Sequence, residues 1–199
     1  MPLTKTQIIS NAVTLIGNKP IISTSGQGSL VNAAEQAYDF LLPAKLSESF
    51  WRFATKTAQL SQLVETPPTE IGWQYIYQLP SDYSKMVRLF PQNYNFEIYE
   101  GNRLYSSLDG PLYIEYVRAF DDTDAAQLPM YFVHYFVYEL ALYLCLASAD
   151  SVAFYNALKP ERDYLLSLAQ ANDAQNRPGT GLVSEPVISN RFVTTWALG

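Results

Sequence analysis

Apolar residues first recur at helical spacing close to the start of the chain, where Ile8, Ile9, Ala12, Leu15 and Ile16 share one face. With threonines ahead of them as caps and Gly17 and Asn18 as a stop, they predict a helix over about residues 4–16. The stretch NKPIISTSGQGS that follows reads as a loop. Its glycines have no Lys-Ser/Thr after them and no clear strand before them, so they lack the context of a phosphate cradle. From Ser29 onward Leu30, Ala33, Ala34, Ala37, Tyr38, Leu41, Leu42, Leu46, Phe50 and Phe53 hold helical register for about seven turns. Pro43 falls inside that run, and because the pattern resumes in phase it predicts a kink and not an end.

Beyond Pro67 and Pro68 the period changes from 3.6 to 2. Ile71, Trp73, Tyr75, Tyr77 and Leu79 alternate with Gln74 and Gln78, the pattern of a strand with one dry and one wet face. SKMVRLF, NFEIYEGNRLYSS and GPLYIEYVRAF read as further strands, with hairpin turns at Glu100-Gly101-Asn102 and Asp109-Gly110-Pro111. Pro129 then suits the first turn of a helix. Met130 to Ser148 is apolar nearly all round, as expected of a central buried helix, and Tyr164, Leu165, Leu168 and Ala169 mark a last helix after Pro160.

The predicted fold class is therefore α+β: mainly a helical bundle, formed by residues 1–58 and 121–175, with an inserted small antiparallel β-sheet at 59–120 and an extended C-terminal tail at 176–199. That tail has no helical period yet carries Leu182, Val183, Val187, Ile188, Phe192, Val193 and Trp196. Burying Trp196 alone is worth a few kcal/mol at about 25 cal/mol per Å², so the tail either packs on its own domain or awaits a partner.

Composition narrows the classes. Thirteen Lys and Arg against nineteen Asp and Glu give a formal charge of −6, and no segment gathers basic residues, which argues against tight binding to a phosphate backbone. The single cysteine, Cys145, sits in an apolar run and has no intramolecular partner, as fits a reducing compartment. MPLTKTQIISNAV lacks the layout of a signal peptide. Met130 to Ala149 contains His134 and Glu139, which favours a buried helix over a membrane span.

Candidates for chemistry are few. His134, the one histidine, lies on the most apolar helix and reads as a core or interface residue; Cys145 is eleven residues further on, too far to pair with it directly. One histidine and one cysteine offer no recognisable zinc spacing, so neither metal nor cofactor is expected. Asp121, Asp122 and Asp124, with Glu97, Glu100 and Glu115, could in principle supply a glycosidase carboxylate pair. Acids before a helix are also stabilised by its dipole without catalytic duty. The aromatic stripe Trp73, Tyr75 and Tyr77 suits a core or a subunit interface, or stacking against sugars or bases.

The order of features, LIGNKPIIS ending a short helix, FWRFATK closing a long one, the strand WQYIYQLPSDY, a hairpin, an apolar helix and an extended tail, resembles the tail tubular protein A, or head-to-tail adaptor, family of short-tailed bacteriophages. The resemblance spans residues 4–177, with Leu15-Ile16-Gly17, Trp51-Phe53-Ala54 and Trp73-Tyr75-Tyr77-Leu79-Pro80-Asp82 as its best marks; Pro43 is not a family feature. It implies a virion structural protein without enzymatic activity, made in the host cytoplasm. Such a protein is a homo-oligomeric ring, usually a dodecamer, between the portal protein and the tail nozzle (tail tubular protein B), with tail fibres as further neighbours. DNA would pass through the lumen unbound, past a negative wall that repels it. Trp73, Tyr75 and Tyr77 and the tail residues Leu182, Val183, Val187, Ile188, Phe192, Val193 and Trp196 would then form partner or subunit interfaces. The competing expectations are a tail-associated glycan hydrolase and a carbohydrate-binding module.

Overall fold

A computed structural model describes residues 3–21, 29–68, 72–92, 94–147 and 152–176. The first helix, α1 (Lys5–Leu15), starts on a capping box: the Thr4 hydroxyl accepts from the Gln7 N–H while the Gln7 side chain accepts from the Thr4 N–H. It stops at Gly17, whose φ of 81° a side-chain-bearing residue would adopt only under strain. Helix α2 (Ser29–Glu48) runs through Pro43 and buries Ala34, Ala37, Tyr38, Leu41, Leu42 and Leu46 along one stripe. The helix ends short of the predicted Phe53. Trp51 turns inward, its indole N–H donates to the Lys45 carbonyl, and a 3₁₀ turn at Arg52–Ala54 leads directly into a strand.

Seven strands follow: β1 (Thr55–Gln59), β2 (Ser61–Gln62), β3 (Tyr75–Gln78), β4 (Tyr83–Phe90), β5 (Phe96–Tyr99), β6 (Arg103–Ser106) and β7 (Tyr113–Arg118). They form two antiparallel sheets, β1-β7-β4 and β2-β3-β6-β5, where the sequence pattern anticipates one. The chain passes from the first sheet to the second at Leu60, whose side chain is buried between them. In the β5–β6 hairpin Glu100 and Gly101 both take positive φ, as the expected turn requires. A 3₁₀ segment (Asp122–Gln127) then leads to α3 (Met130–Ala147) and α4 (Val152–Gln175), the latter continuous through Pro160.

The described residues form two cores. The larger lies among the helices: α3 packs against α1, α2 and α4 and buries side chains around most of its circumference, including Phe132, Tyr135, Phe136, Leu140 and Leu144. The smaller lies between the sheets and contains Leu60, Tyr77, Leu79, Leu89, Leu104, Leu112, Ile114 and Tyr116. Strand β7 is the wall they share, because alternation sends Ile114 and Tyr116 into the inter-sheet core and Val117 into the helical one. The layers run helices, three-stranded sheet, four-stranded sheet.

This corrects the expectation of a mainly helical bundle with a small insertion. Among the described residues the fold is mixed α/β with four helices and seven strands in two antiparallel sheets, about half helical. The physical reason lies in residues 55–62, which follow an apolar helical run without a Gly or Pro to mark the change. Strand β1 pairs with β7, from Thr55↔Val117 to Gln59↔Tyr113, a partner far away in sequence.

Candidate interaction surfaces

The residues of the aromatic stripe part company in the structure. Tyr77 is 1% exposed; it fills the inter-sheet core, and its hydroxyl donates to the carbonyls of Leu108 (2.7 Å) and Gly110 (3.2 Å). Tyr75 is half-buried beside the same core. Trp73 lies ahead of β3, and its indole N–H donates to Glu97 at 3.1 Å. The opposite face of β3 is not the wet one expected, since Ile76 is buried as well. Tail residues Leu182, Val183, Val187, Ile188, Phe192, Val193 and Trp196 lie outside the described residues, as does Ile71.

Trp73 belongs instead to a cluster that spacing did not reveal. Glu97 accepts hydrogen bonds from Trp73 and from the Tyr99 hydroxyl, and Tyr99 stands edge-on to Tyr105 with ring centroids 5.0 Å apart. The bonds from Tyr99 and Trp73 hold the Glu97 carboxyl below the usual carboxylate range, while that same partner raises Tyr99. Cross-strand pairing places Glu97 opposite Tyr105, but the tryptophan arrives from a segment separated by more than twenty residues.

Glu115, Asp124 and Glu100 among the other weighed carboxylates hold structural partners, as does Asp82. Glu115 on β7 pairs with Arg88 at 2.7 Å and Arg52 at 3.6 Å. Asp124 is buried, accepts from Arg118 at 3.1 Å and from Gln127 at 2.6 Å, and receives the Asp121 N–H. Glu100 pairs with Arg103 at the hairpin. Asp82 accepts from Lys56 and from the Tyr116 hydroxyl, both at 2.7 Å. Burial pushes Asp82 up, but those two bonds outweigh it and hold the carboxyl below its ordinary value. Among the described residues no group of three or more His, Cys, Asp or Glu is placed to hold a metal ion, and no helix is long and apolar enough to cross a membrane.

A carboxylate that sequence reasoning passed over is the most enclosed among the described residues. Asp173, near the end of α4, is buried and accepts from the Arg52 backbone N–H at 2.6 Å and the Tyr131 hydroxyl at 2.8 Å. It ties α4 to the start of α3 and to the turn that feeds β1. Burial and the Asp173 bond raise Tyr131 far above an ordinary tyrosine.

Among the apolar surfaces that the described residues leave open on the helical layer, two stand out. On α2 and α3 Phe40 is 64% exposed and Tyr143 42% exposed, with ring centroids 6.3 Å apart, and Leu146 one turn on is 72% exposed. The second is an open groove of about 380 Å³ where α1 runs beside α3, floored by Leu15, Val133 and Val137 and flanked by Leu3, Met130 and Tyr138. His134 stands exposed on its rim, edge-on to Tyr138, so of the two placements read from the sequence, core or interface, the core one is corrected. A helix apolar all round still leaves one strip outward wherever its neighbours do not close around it. Cys145 is buried as expected.

No protein-family model matches the chain, and no curated protein matches it.

Proposed function

We propose that the chain is a structural assembly subunit, a head-to-tail adaptor of a short-tailed phage that forms a ring between portal and tail nozzle. The observation that carries the reading is the exposed aromatic pair Phe40 and Tyr143 with Leu146, contributed by two different helices. Clustered large apolar groups in water mark protein contacts more often than catalytic surfaces. The resemblance in element order supplies the particular assembly, and the charge of −6 on each copy suits a lumen that repels DNA.

The test is the mass of the full-length protein, alone and mixed with its portal, beside Phe40→Glu. The adaptor reading expects a large ring complex on portal addition, weakened at least tenfold in affinity by Phe40→Glu. A chain that stays monomeric and ignores the portal overturns it.

A second reading, a glycan-binding module, is favoured by the Trp73–Glu97–Tyr99 cluster, which combines two aromatic rings with a carboxylate on one outer surface. Glycan binding by the intact chain that Trp73→Ala abolishes would select it. The buried Tyr77 could take no part.

A further inference from the structure

We infer that the cleft where the end of the helical layer meets the three-stranded sheet is a binding site for a carboxylate carried on an apolar body, with the Arg52 guanidinium as its anchor and the rings of Phe53 and Phe90 as walls. The sheet outruns the helices. Strand pairing lines up three rows on its helical face, and their character changes outward. Thr55 stands opposite Val117, which is buried in the helical core; Glu115 follows, between Thr57 and Arg88; Tyr113 comes last, between Gln59 and Phe90, and is 42% exposed. Facing the outer rows are the turn that carries Arg52 and Phe53 and the residue just past α4, and an open cavity of about 570 Å³ lies among Arg52, Phe53, Thr57, Phe90, Glu115 and Asn176. Small-ligand sites run from roughly 300 to 1,000 Å³.

The charges select the ligand. Two guanidiniums share one carboxylate: Arg88 holds Glu115 through Nε at 2.7 Å, which leaves the nearest Arg52 nitrogen 3.6 Å away, beyond hydrogen-bond reach. Asp173 is taken up by the Arg52 backbone N–H and the Tyr131 hydroxyl, and among the described residues no ion pair joins it to the Arg52 side chain. A chain of net charge −6 thus keeps a spare planar fork in this cleft, the geometry that a carboxylate or a phosphate meets with two parallel bonds. Glu115 decides between the two, because its own charge repels a dianion more strongly than a monoanion. The walls set the rest of the ligand. Phe53 is fixed by Phe132 at 5.1 Å and by Phe120 and Tyr131 at 6.2 Å, and Phe90 is half-buried beside the Arg88 guanidinium at 5.9 Å. Such rings favour an aryl group next to the carboxylate. A free aromatic acid and the C-terminal carboxylate of a protein chain share this chemistry. Whether the protein works in a phage tail does not enter, so failure of either idea leaves the other standing.

The experiment titrates the full chain with phenylacetate as the free acid and N-acetyl-alanyl-phenylalanine as the chain end, with phenylacetamide and phenyl phosphate as controls, and follows backbone amide shifts by nuclear magnetic resonance. Shifts are expected at residues 52–57, 90 and 115, and whichever acid binds more tightly names the source. Arg52→Met keeps the apolar stem and the backbone N–H that Asp173 accepts, and should weaken binding at least about tenfold with the circular dichroism unchanged. Glu115→Gln frees Arg88 as well and should tighten binding several-fold, a gain that mere loosening of the cleft would not give. Binding of neither acid overturns the inference, as do phenylacetamide binding as tightly as phenylacetate, phenyl phosphate binding more tightly than either acid, or an Arg52→Met variant of unchanged affinity.

Discussion

In the helical layer the core is built from rings packed on rings. Trp51 meets Phe132 at 5.0 Å and Tyr135 at 6.2 Å between centroids, Phe53 meets Phe132 at 5.1 Å, and Phe132 stacks on Phe136 at 5.8 Å. Between the sheets the core is mostly leucine, and its fully enclosed aromatics are tyrosines whose hydroxyls are bonded, Tyr77 to two loop carbonyls and Tyr116 to Asp82. The difference follows from the backbone. Helices satisfy most of their own N–H and C=O groups, so their core needs few such donors, the Trp51 indole on the Lys45 carbonyl at the end of α2 being one, whereas the loop joining β6 to β7 leaves carbonyls that need a donor from elsewhere. Tyr77 provides both the apolar ring and that donor. The two layers are therefore held by different currencies of contact, with Asp173 and β7 at their junction.

The comparison can be broken most forcefully at Trp51. Trp51→Ala should cost about 3–5 kcal/mol, because it opens a cavity among the rings of Phe53, Phe132 and Tyr135 and removes the bond to the Lys45 carbonyl. Urea unfolding followed by both tyrosine fluorescence and circular dichroism should show one transition at lower urea; two separated transitions would mean the layers fold independently despite sharing β7. Next comes the junction. Asp173→Ala leaves the Arg52 N–H and the Tyr131 hydroxyl without their acceptor and should cost about 2–3 kcal/mol. Hydrogen exchange should then accelerate at the end of α4 and at residues 52–55, and an unchanged pattern would deny Asp173 its linking role.

A smaller effect is expected at Tyr77→Phe, which keeps the ring and removes the donor. About 1 kcal/mol should be lost, with faster exchange confined to residues 107–112. A loss as large as that of Trp51→Ala would show that the hydroxyl matters more than the contrast allows. The smallest effect is the acid limb. Asp82 has a folded pKa below its unfolded value of about 3.9, so its contribution is present above that pH and is lost as pH falls through the folded value. Asp82→Asn should flatten the fall in stability below about pH 4 and leave the slope near neutrality unchanged. A parallel acid limb in the variant would assign the slope to other carboxylates.

Much of this was legible in the residues themselves. Thr4 and Gly17 bound α1, the apolar run after Pro129 becomes α3, and the β5–β6 turn stands at Glu100 and Gly101. These are local signals: caps, periodicity and backbone conformations that few residues tolerate. The face assignments were less secure, since alternation told that β3 has a buried side but not that Ile76 is buried on the other as well. The Trp73–Glu97–Tyr99 cluster and the groove beside His134 had no signal at all in spacing, because each joins segments far apart in the chain.

By itself the sequence determined which stretches are helical or extended over most of their length, because hydrogen bonding within a turn and the period of burial act between near neighbours. Tertiary structure alone decided that residues 55–59 leave the helix for a strand, that the strands divide into two sheets, and that Asp173 is enclosed while His134 is not. Each of those outcomes depends on a partner at long range: β7 for β1, Leu60 passing between sheets, Arg52 and Tyr131 for Asp173. A contact between distant segments is paid for by loop closure and rewarded only once both surfaces exist, so no local pattern records it.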